Sequence, residues 1–241
     1  MEGPSLVIAT EEFEPYFGLK VNEATGTAKL PFSKIKNQKL LGARSWGKHF
    51  ILIFEKTTLR IHFLMFGSYR ISNPRVNRIP KMELRFGKDR LYFYSCAIKI
   101  LEEPLDELYD WSLDTMSDEW STPKAVAKLK KRPEDMVCDV LMDQEVFSGV
   151  GNIIKNEVQF RQRLHPETKI EDLTPKALRA LVKDARDYSL QFYKWKKANV
   201  LKRNWLIFRK KKCPECGKPV TKRQTGKLKR VSFYCTREQK K

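Results

Sequence analysis

Long apolar runs are missing from these 241 residues. None approaches the roughly 18 apolar residues that a membrane-spanning helix needs. Met1 to Lys20 also lacks the basic segment followed by an apolar one that marks a secretory leader, so neither a membrane-spanning nor a secreted protein is expected. Cysteine is scarce: there are five, an odd number, and three of them fall within residues 213–241. That distribution argues against a disulfide framework and suits a reducing compartment and a metal site. Acidic residues are outnumbered, 29 Asp and Glu against 48 Lys and Arg. No internal repeat and no low-complexity tract is present.

What is there supports packed cores: 41 % of the residues are apolar and 11 % aromatic. The net charge of +19 points to a polyanionic partner, for which nucleic acid is the default; a solvated, soluble surface is the plainer alternative. The charge is concentrated. Residues 196–241 hold 17 Lys or Arg and only Glu215 and Glu238 as acids, so this end is expected to meet phosphate first.

The first half reads as strands. His49–Phe54, Thr58–Leu64, Lys81–Phe86 and Arg90–Tyr94 are short and rich in β-branched or aromatic residues, with turn material between them. An antiparallel sandwich or barrel is expected, preceded by a short helix around Ser5–Glu14. The texture changes at Trp120–Pro123, where Ser121 or Thr122 can cap a helix with Pro123 in its first turn. From there to about Lys197 the pattern is mostly helical, and Thr174–Pro175 starts the last long helix. The final forty residues are too poor in apolar mass to form a core unaided. The expected division is 1–121, 122–200 and 201–241.

Five places carry chemistry. Cys213 and Cys216 form a Cys-x-x-Cys knuckle, and Cys235 follows after eighteen residues. With Glu238 as a carboxylate fourth ligand this is a candidate zinc site; the alternative is a metal-free basic hairpin. Ser148 to Gly151 is a tight turn of small residues before a helix that begins at Asn152. It offers a phosphate seat at Gly151 and Asn152, or an ordinary corner between helices. Gly47–Lys48 opens a strand, where a lysine is ordinarily a solvated edge residue. Leu64, Met65 and Phe66 are consecutive and cannot all face one core from a strand. They form either an exposed wedge or part of a strand buried on both sides. Met1 offers an α-amine that is partly neutral, and so nucleophilic, near physiological pH, with the Glu2 carboxylate beside it.

Taken together, these residues resemble the formamidopyrimidine-DNA glycosylase and endonuclease VIII family of base-excision repair enzymes. The likeness covers essentially the whole chain. The family opening Met-Pro-Glu-Gly-Pro is matched by Met1–Pro4, its Gly-Lys by Gly47–Lys48, and its His-x-x-Met-x-Gly loop by His62–Gly67. Its helix-two-turn-helix signature is matched from Asp143 through Glu157 and Phe160–Arg161 to His165–Pro166. Its zinc finger is matched by Cys213, Cys216, Arg230 and Cys235. The resemblance implies an α+β fold: an antiparallel β-sandwich with a flanking helix, then a helix-two-turn-helix domain with a zinc-finger hairpin. It implies a monomer that acts on double-stranded DNA with oxidised bases or abasic sites, in the bacterial cytosol or another reducing, DNA-containing compartment. By resemblance, the N-terminal amine attacks the sugar, Glu2 is the acid/base, and Lys48, Asn152 and Arg230 hold phosphates. Leu64, Met65 and Phe66 fill the space left by a flipped nucleotide, and zinc is structural.

Two departures fall at functional positions. The second-position proline of the family is missing, so Met1 occupies the place of the nucleophile. Glu238 stands where the family has its fourth zinc cysteine. Ser5 also stands where many relatives have a second glutamate, and Tyr94–Leu101 lacks the Arg-x-Phe of the purine-preferring members. The second of these favours the endonuclease VIII branch and oxidised pyrimidines. A damage-binding protein that has lost catalysis, and a general basic nucleic-acid-binding protein, are the competing readings.

Overall fold

Aromatic and aliphatic residues spaced along a helix and a run of alternating strands build the first of two compact units, which comprises Met1 and Ser5–Tyr109; Glu2–Pro4 and Asp110–Lys241 form the second. The computed structural model describes residues 1–240.

The helix α1 (Gly3–Glu12), which lies in the first unit from Ser5 onward, buries Leu6 and Ala9 on one face, and Phe13 continues that face past its end. Six antiparallel strands follow: β1 (Glu23–Thr25), β2 (Leu40–Trp46), β3 (His49–Phe54), β4 (Thr58–Ile71), β5 (Met82–Phe86) and β6 (Asp89–Leu101). Their order in the sheet is β1-β5-β6-β4-β3-β2. A four-residue helix, α2 (Leu105–Leu108), closes the unit.

Hydrogen bonding makes one continuous sheet, but β4 and β6 each serve two halves of it. The first part of β4 pairs with β3 and with the end of β6, from Thr58↔Leu101 to Phe63↔Cys96. After a shift between Phe63 and Ser68, the rest of β4 pairs with the start of β6, which also carries β5. Both halves send apolar residues to one core, Phe50, Leu59 and Ile61 from one and Leu84, Leu91 and Phe93 from the other. Phe13 lies between them, with ring centroids 5.0 Å from Phe50 and 5.9 Å from Phe93. The two halves thus close on one core as the layers of the expected sandwich.

The second unit contains α3 (Thr122–Lys130), α4 (Val137–Val140), α5 (Asn152–Arg161), α6 (Pro175–Lys197) and a hairpin of β7 (Thr221–Thr225) and β8 (Arg230–Tyr234). The expected caps are present: the Ser121 hydroxyl accepts from Lys124 N at 3.3 Å and the Thr174 hydroxyl from Ala177 N at 3.2 Å. Each satisfies one of the N–H groups that a helix start leaves without an intrahelical partner. On α6, Leu178, Leu181, Val182, Ala185, Tyr188 and Phe192 recur at helical spacing and build the core with Ile154 and Val158 of α5. Arg161 clamps α5 to α6 through a forked pair with the buried Asp184 (2.7 and 3.0 Å).

The division between units falls before the expected boundary at 121/122. Residues 110–121 belong to the helical unit because Leu113 and Thr115 are buried there, bonded through Ser148 N to Leu113 O and Thr115 N to Ser148 O. The hairpin does not stand apart as a third unit. Phe233 and Cys235 pack with Phe160, Ile207 and Phe208 into a small core of their own.

Candidate active site and metal centre

The first unit brings together three of the sequence-marked groups. Gly47–Lys48 is the two-residue turn between β2 and β3, flanked by the pair Trp46↔His49. His62 on β4 donates from Nδ1 to the Lys48 carbonyl at 3.2 Å, which fixes the turn from beneath. Burial lowers the pKa of His62; the hydrogen bond to the Lys48 carbonyl opposes this, and the Met1 α-amino group, Lys48 and Arg60 add to it. Met1 packs its side chain against the core of this unit.

Leu64, Met65 and Phe66 are 50, 70 and 78 % exposed, so the choice left open by the sequence is settled in favour of an exposed apolar tip. They occupy the irregularity in β4, with Phe66 at φ 66°. Gly67 makes that excursion possible. A Cβ there would lie 2.6 Å from the Ser95 carbonyl oxygen and 2.9 Å from Leu64 N, a backbone clash that no side-chain movement relieves. Farther along, Arg70, Arg75 and Arg78 line a 460 Å³ concavity.

In the second unit, the start of α5 is already occupied by an anion. The Glu2 carboxylate accepts from Ile153 N at 2.7 Å and from Ile154 N at 3.3 Å. Two of the N–H groups that the helix start leaves without an intrahelical partner therefore serve a protein carboxylate. Gly151 is needed because a Cβ would fall onto the Glu2 side chain, 2.6 Å from Oε1. Gly3 N donates to Gly149 O at 2.9 Å. Gln144 braces the turn, its Oε1 accepting from Gly149 N at 3.1 Å and its Nε2 donating to Val150 O at 3.2 Å.

Asn152 points its side-chain amide at β8, donating to Val231 O at 3.1 Å, while its Oδ1 is buried with no partner among the described residues. Arg230, the residue before Val231, is exposed and in no ion pair among the described residues. Asn152 also lines a 720 Å³ cavity with Phe208, Arg209, Lys210, Lys211 and Lys222. These four cations were visible in the sequence only as part of a basic tail.

Reading the sequence missed how α5 grips the hairpin. Lys155, Asn156 and Glu157 are fully buried. Lys155 Nζ donates to Ser232 Oγ (3.0 Å) and Val231 O (3.2 Å), and burial pushes its pKa down to about 8. Asn156 accepts from Phe233 N at 2.7 Å. Glu157 accepts from the backbone N–H groups of Leu206, Ile207 and Phe208 at 2.8 to 3.1 Å; burial raises its pKa and these donors oppose the rise. Asp139 caps the hairpin turn by accepting from Lys227 N and Leu228 N. The one available sign was a Lys-Asn-Glu run between the apolar pair Ile153–Ile154 and Val158.

The Sγ atoms of Cys213, Cys216 and Cys235 lie within 4.8 Å of one another, with Cys216 and Cys235 3.4 Å apart. Tetrahedral bonds of about 2.3 Å would set sulfurs roughly 3.8 Å apart, so the three thiols fit a zinc ion. Glu238, expected as the fourth ligand, is not in this cluster. Its carboxylate lies 3.6 Å from Arg163 and 3.9 Å from Arg237.

Residues 112–191 match the formamidopyrimidine-DNA glycosylase H2TH domain. Over these residues the chain is similar to the formamidopyrimidine-DNA glycosylase and endonuclease VIII family. Among similar proteins, Endonuclease 8-like 3 of Xenopus laevis is 33 % identical and that of Mus musculus 35 %, each match covering 83 % of this chain and 34 % of the relative. The chain therefore spans about a third of the length of these relatives. Endonuclease 8 2 of Mycobacterium bovis is 25 % identical over 79 % of this chain and 80 % of its own. In fold, the chain is similar to the Lactococcus lactis formamidopyrimidine DNA glycosylase bound non-covalently to DNA containing an AP site, with a TM-score of 0.88, 18 % identity and full coverage of both chains. The fold class expected from the motifs is thereby confirmed.

Proposed function

We propose that this chain is a glycosylase with abasic-site lyase activity that acts on double-stranded DNA carrying oxidised bases, pyrimidines above all. The observation that carries the reading is the exposed apolar tip Leu64–Phe66, held out by Gly67 on a protein of net charge +19. Exposed apolar side chains on a strongly basic surface suit insertion into a base stack, where they offset part of the cost of flipping a nucleotide.

The roles follow. The Met1 α-amine bonds to C1′ of the damaged nucleoside, the glycosidic bond breaks, and the base leaves with its electron pair. Glu2 carries the proton that opens the sugar ring, giving a Schiff base between the Met1 nitrogen and C1′. Loss of a proton from C2′ then expels the 3′ phosphate and nicks the strand. Lys48, Asn152 and Arg230 hold phosphates beside the lesion, joined by the cations around the Asn152 cavity. Cys213, Cys216 and Cys235 would hold a zinc ion, whose role would be to tie the hairpin together.

The second-position proline of the family has no counterpart here, so the second reading is a protein that binds damage without cutting it. The two separate on duplexes carrying one oxidised pyrimidine, one oxidised purine or no lesion. Nicking at the pyrimidine lesion is expected. Selective binding without nicking supports the second reading, and equal binding to undamaged duplex contradicts both.

A further inference from the structure

We propose that the hairpin centre holds a divalent ion through three thiolates alone, with its fourth coordination position open to a neutral outside donor such as an imidazole. The proposal concerns the metal and is independent of whether the chain cuts DNA.

Among the described residues, no His, Asp, Glu or further Cys joins Cys213, Cys216 and Cys235. The two acids nearest in sequence are both drawn elsewhere. Arg163, just past the end of α5, lies 3.1 Å from Glu215 inside the knuckle and 3.6 Å from Glu238 beyond Cys235. One guanidinium thus engages a carboxylate on each side of the cluster. Three thiolates on a divalent ion leave one net negative charge, and a carboxylate ligand would leave two. A neutral donor avoids that increase.

The backbone that carries Glu238 is fixed as well. Gln239 is 1 % exposed; its Oε1 accepts from Cys235 N at 3.0 Å, its own N–H donates to Cys235 O at 2.9 Å, and its Nε2 donates to Leu164 O at 2.8 Å. Cys213 and Cys235 are buried while Cys216 is partly exposed, so solvent reaches the centre at one thiol. The hairpin can tolerate a three-ligand ion because Asp139, Lys155 and Asn156 dock it without metal. Ion binding displaces one proton from each thiol to buffer.

The test uses the full chain loaded with cobalt(II) and read by absorption. Thiolate-to-cobalt charge transfer per ion is expected at roughly three quarters of that of Glu238→Cys, which supplies a fourth thiolate. Imidazole should shift the ligand-field bands of the wild type and leave those of Glu238→Cys unchanged. Glu238→Gln should match the wild type in spectrum and, within about twofold, in cobalt affinity. Altered bands or an affinity lower by about tenfold or more in Glu238→Gln would make Glu238 the fourth ligand and overturn the proposal. Failure of the wild type to bind cobalt, or to respond to imidazole, would overturn it too. Those last two readouts need no variant to fold.

Discussion

Glu2 and Ile153 are joined by a 2.7 Å hydrogen bond from the first turn of α5 to the glutamate carboxylate. The residue assigned the proton transfer is therefore held by the helix that begins with Asn152, and the same helix grips the hairpin next to Arg230 through Asn152 and Lys155. One helix start thus sets the position of the proposed acid/base and of the two residues proposed to contact phosphate.

Gly151→Ala tests this link. The atoms nearest the new methyl are Cγ, Cδ and Oε1 of the flexible Glu2 side chain, so the fold should survive with a loss of about 1–2 kcal/mol. Glu2 must move, and a displacement of about 1 Å at a reacting group can cost on the order of a hundredfold in rate. Strand cleavage and urea denaturation measured side by side should show a large loss in the first and a small one in the second. Unchanged cleavage would remove Glu2 from the chemistry.

Phe66→Ala should separate binding from folding. At 78 % exposure, the ring adds little to stability, and the melting temperature should stay within about 2 °C. Affinity for an abasic duplex should fall by about 1–3 kcal/mol, with little change for undamaged duplex. Equal losses on both would mean that the tip is not a wedge.

Arg230→Ala and Lys48→Ala should each weaken binding to lesion DNA by roughly 1–3 kcal/mol, the scale of charge-assisted hydrogen bonds. Each should also reduce the slope of log affinity against log salt by about 1. An unchanged slope would mean that neither side chain sits on a phosphate.

His49 gives a pH signature. It packs against Trp46, His62 and Tyr109, and burial lowers its pKa to about 4, with Arg60 and His62 adding to the effect. The folded state therefore favours the neutral ring, whereas the unfolded ring titrates near pH 6.5. Its contribution is complete above about pH 6.5 and is lost as the pH falls towards 4, by roughly 1–3 kcal/mol. His49→Phe should flatten stability across that window in denaturant titrations; an identical pH profile would contradict the assignment.

Much of the fold could be read from residue pattern, and the exceptions have physical causes. His49–Phe54 is β3 as expected, because a dense apolar run between turns has few alternatives. Lys81–Phe86 lost one residue at its start. Thr58–Leu64 stopped short of Ile71 because the tip and Gly67 break the alternation while the strand resumes beyond them. β2 was not read: its Gly42, Arg44 and Ser45 suit a strand at the sheet edge and carry little apolar signal.

Local placement was legible where one residue type recurs at one spacing, as in the clustered cysteines, the Gly47–Lys48 turn and the turn before α5. It was not legible where polar groups are buried by partners distant in sequence. Lys155 and Glu157 look like solvent-facing residues until the hairpin and residues 206–208 supply their hydrogen bonds. The filling of the α5 start by Glu2 spans about 150 residues, and no local pattern records it.

The central claim is that a primary amine at Met1 performs the covalent step. Borohydride trapping on a duplex with one abasic site, using protein whose intact mass shows a free Met1 amine, tests it most directly. A covalent adduct that maps to the Met1 nitrogen is the expected result. An adduct at Lys48, or none while binding to the same duplex persists, would contradict it.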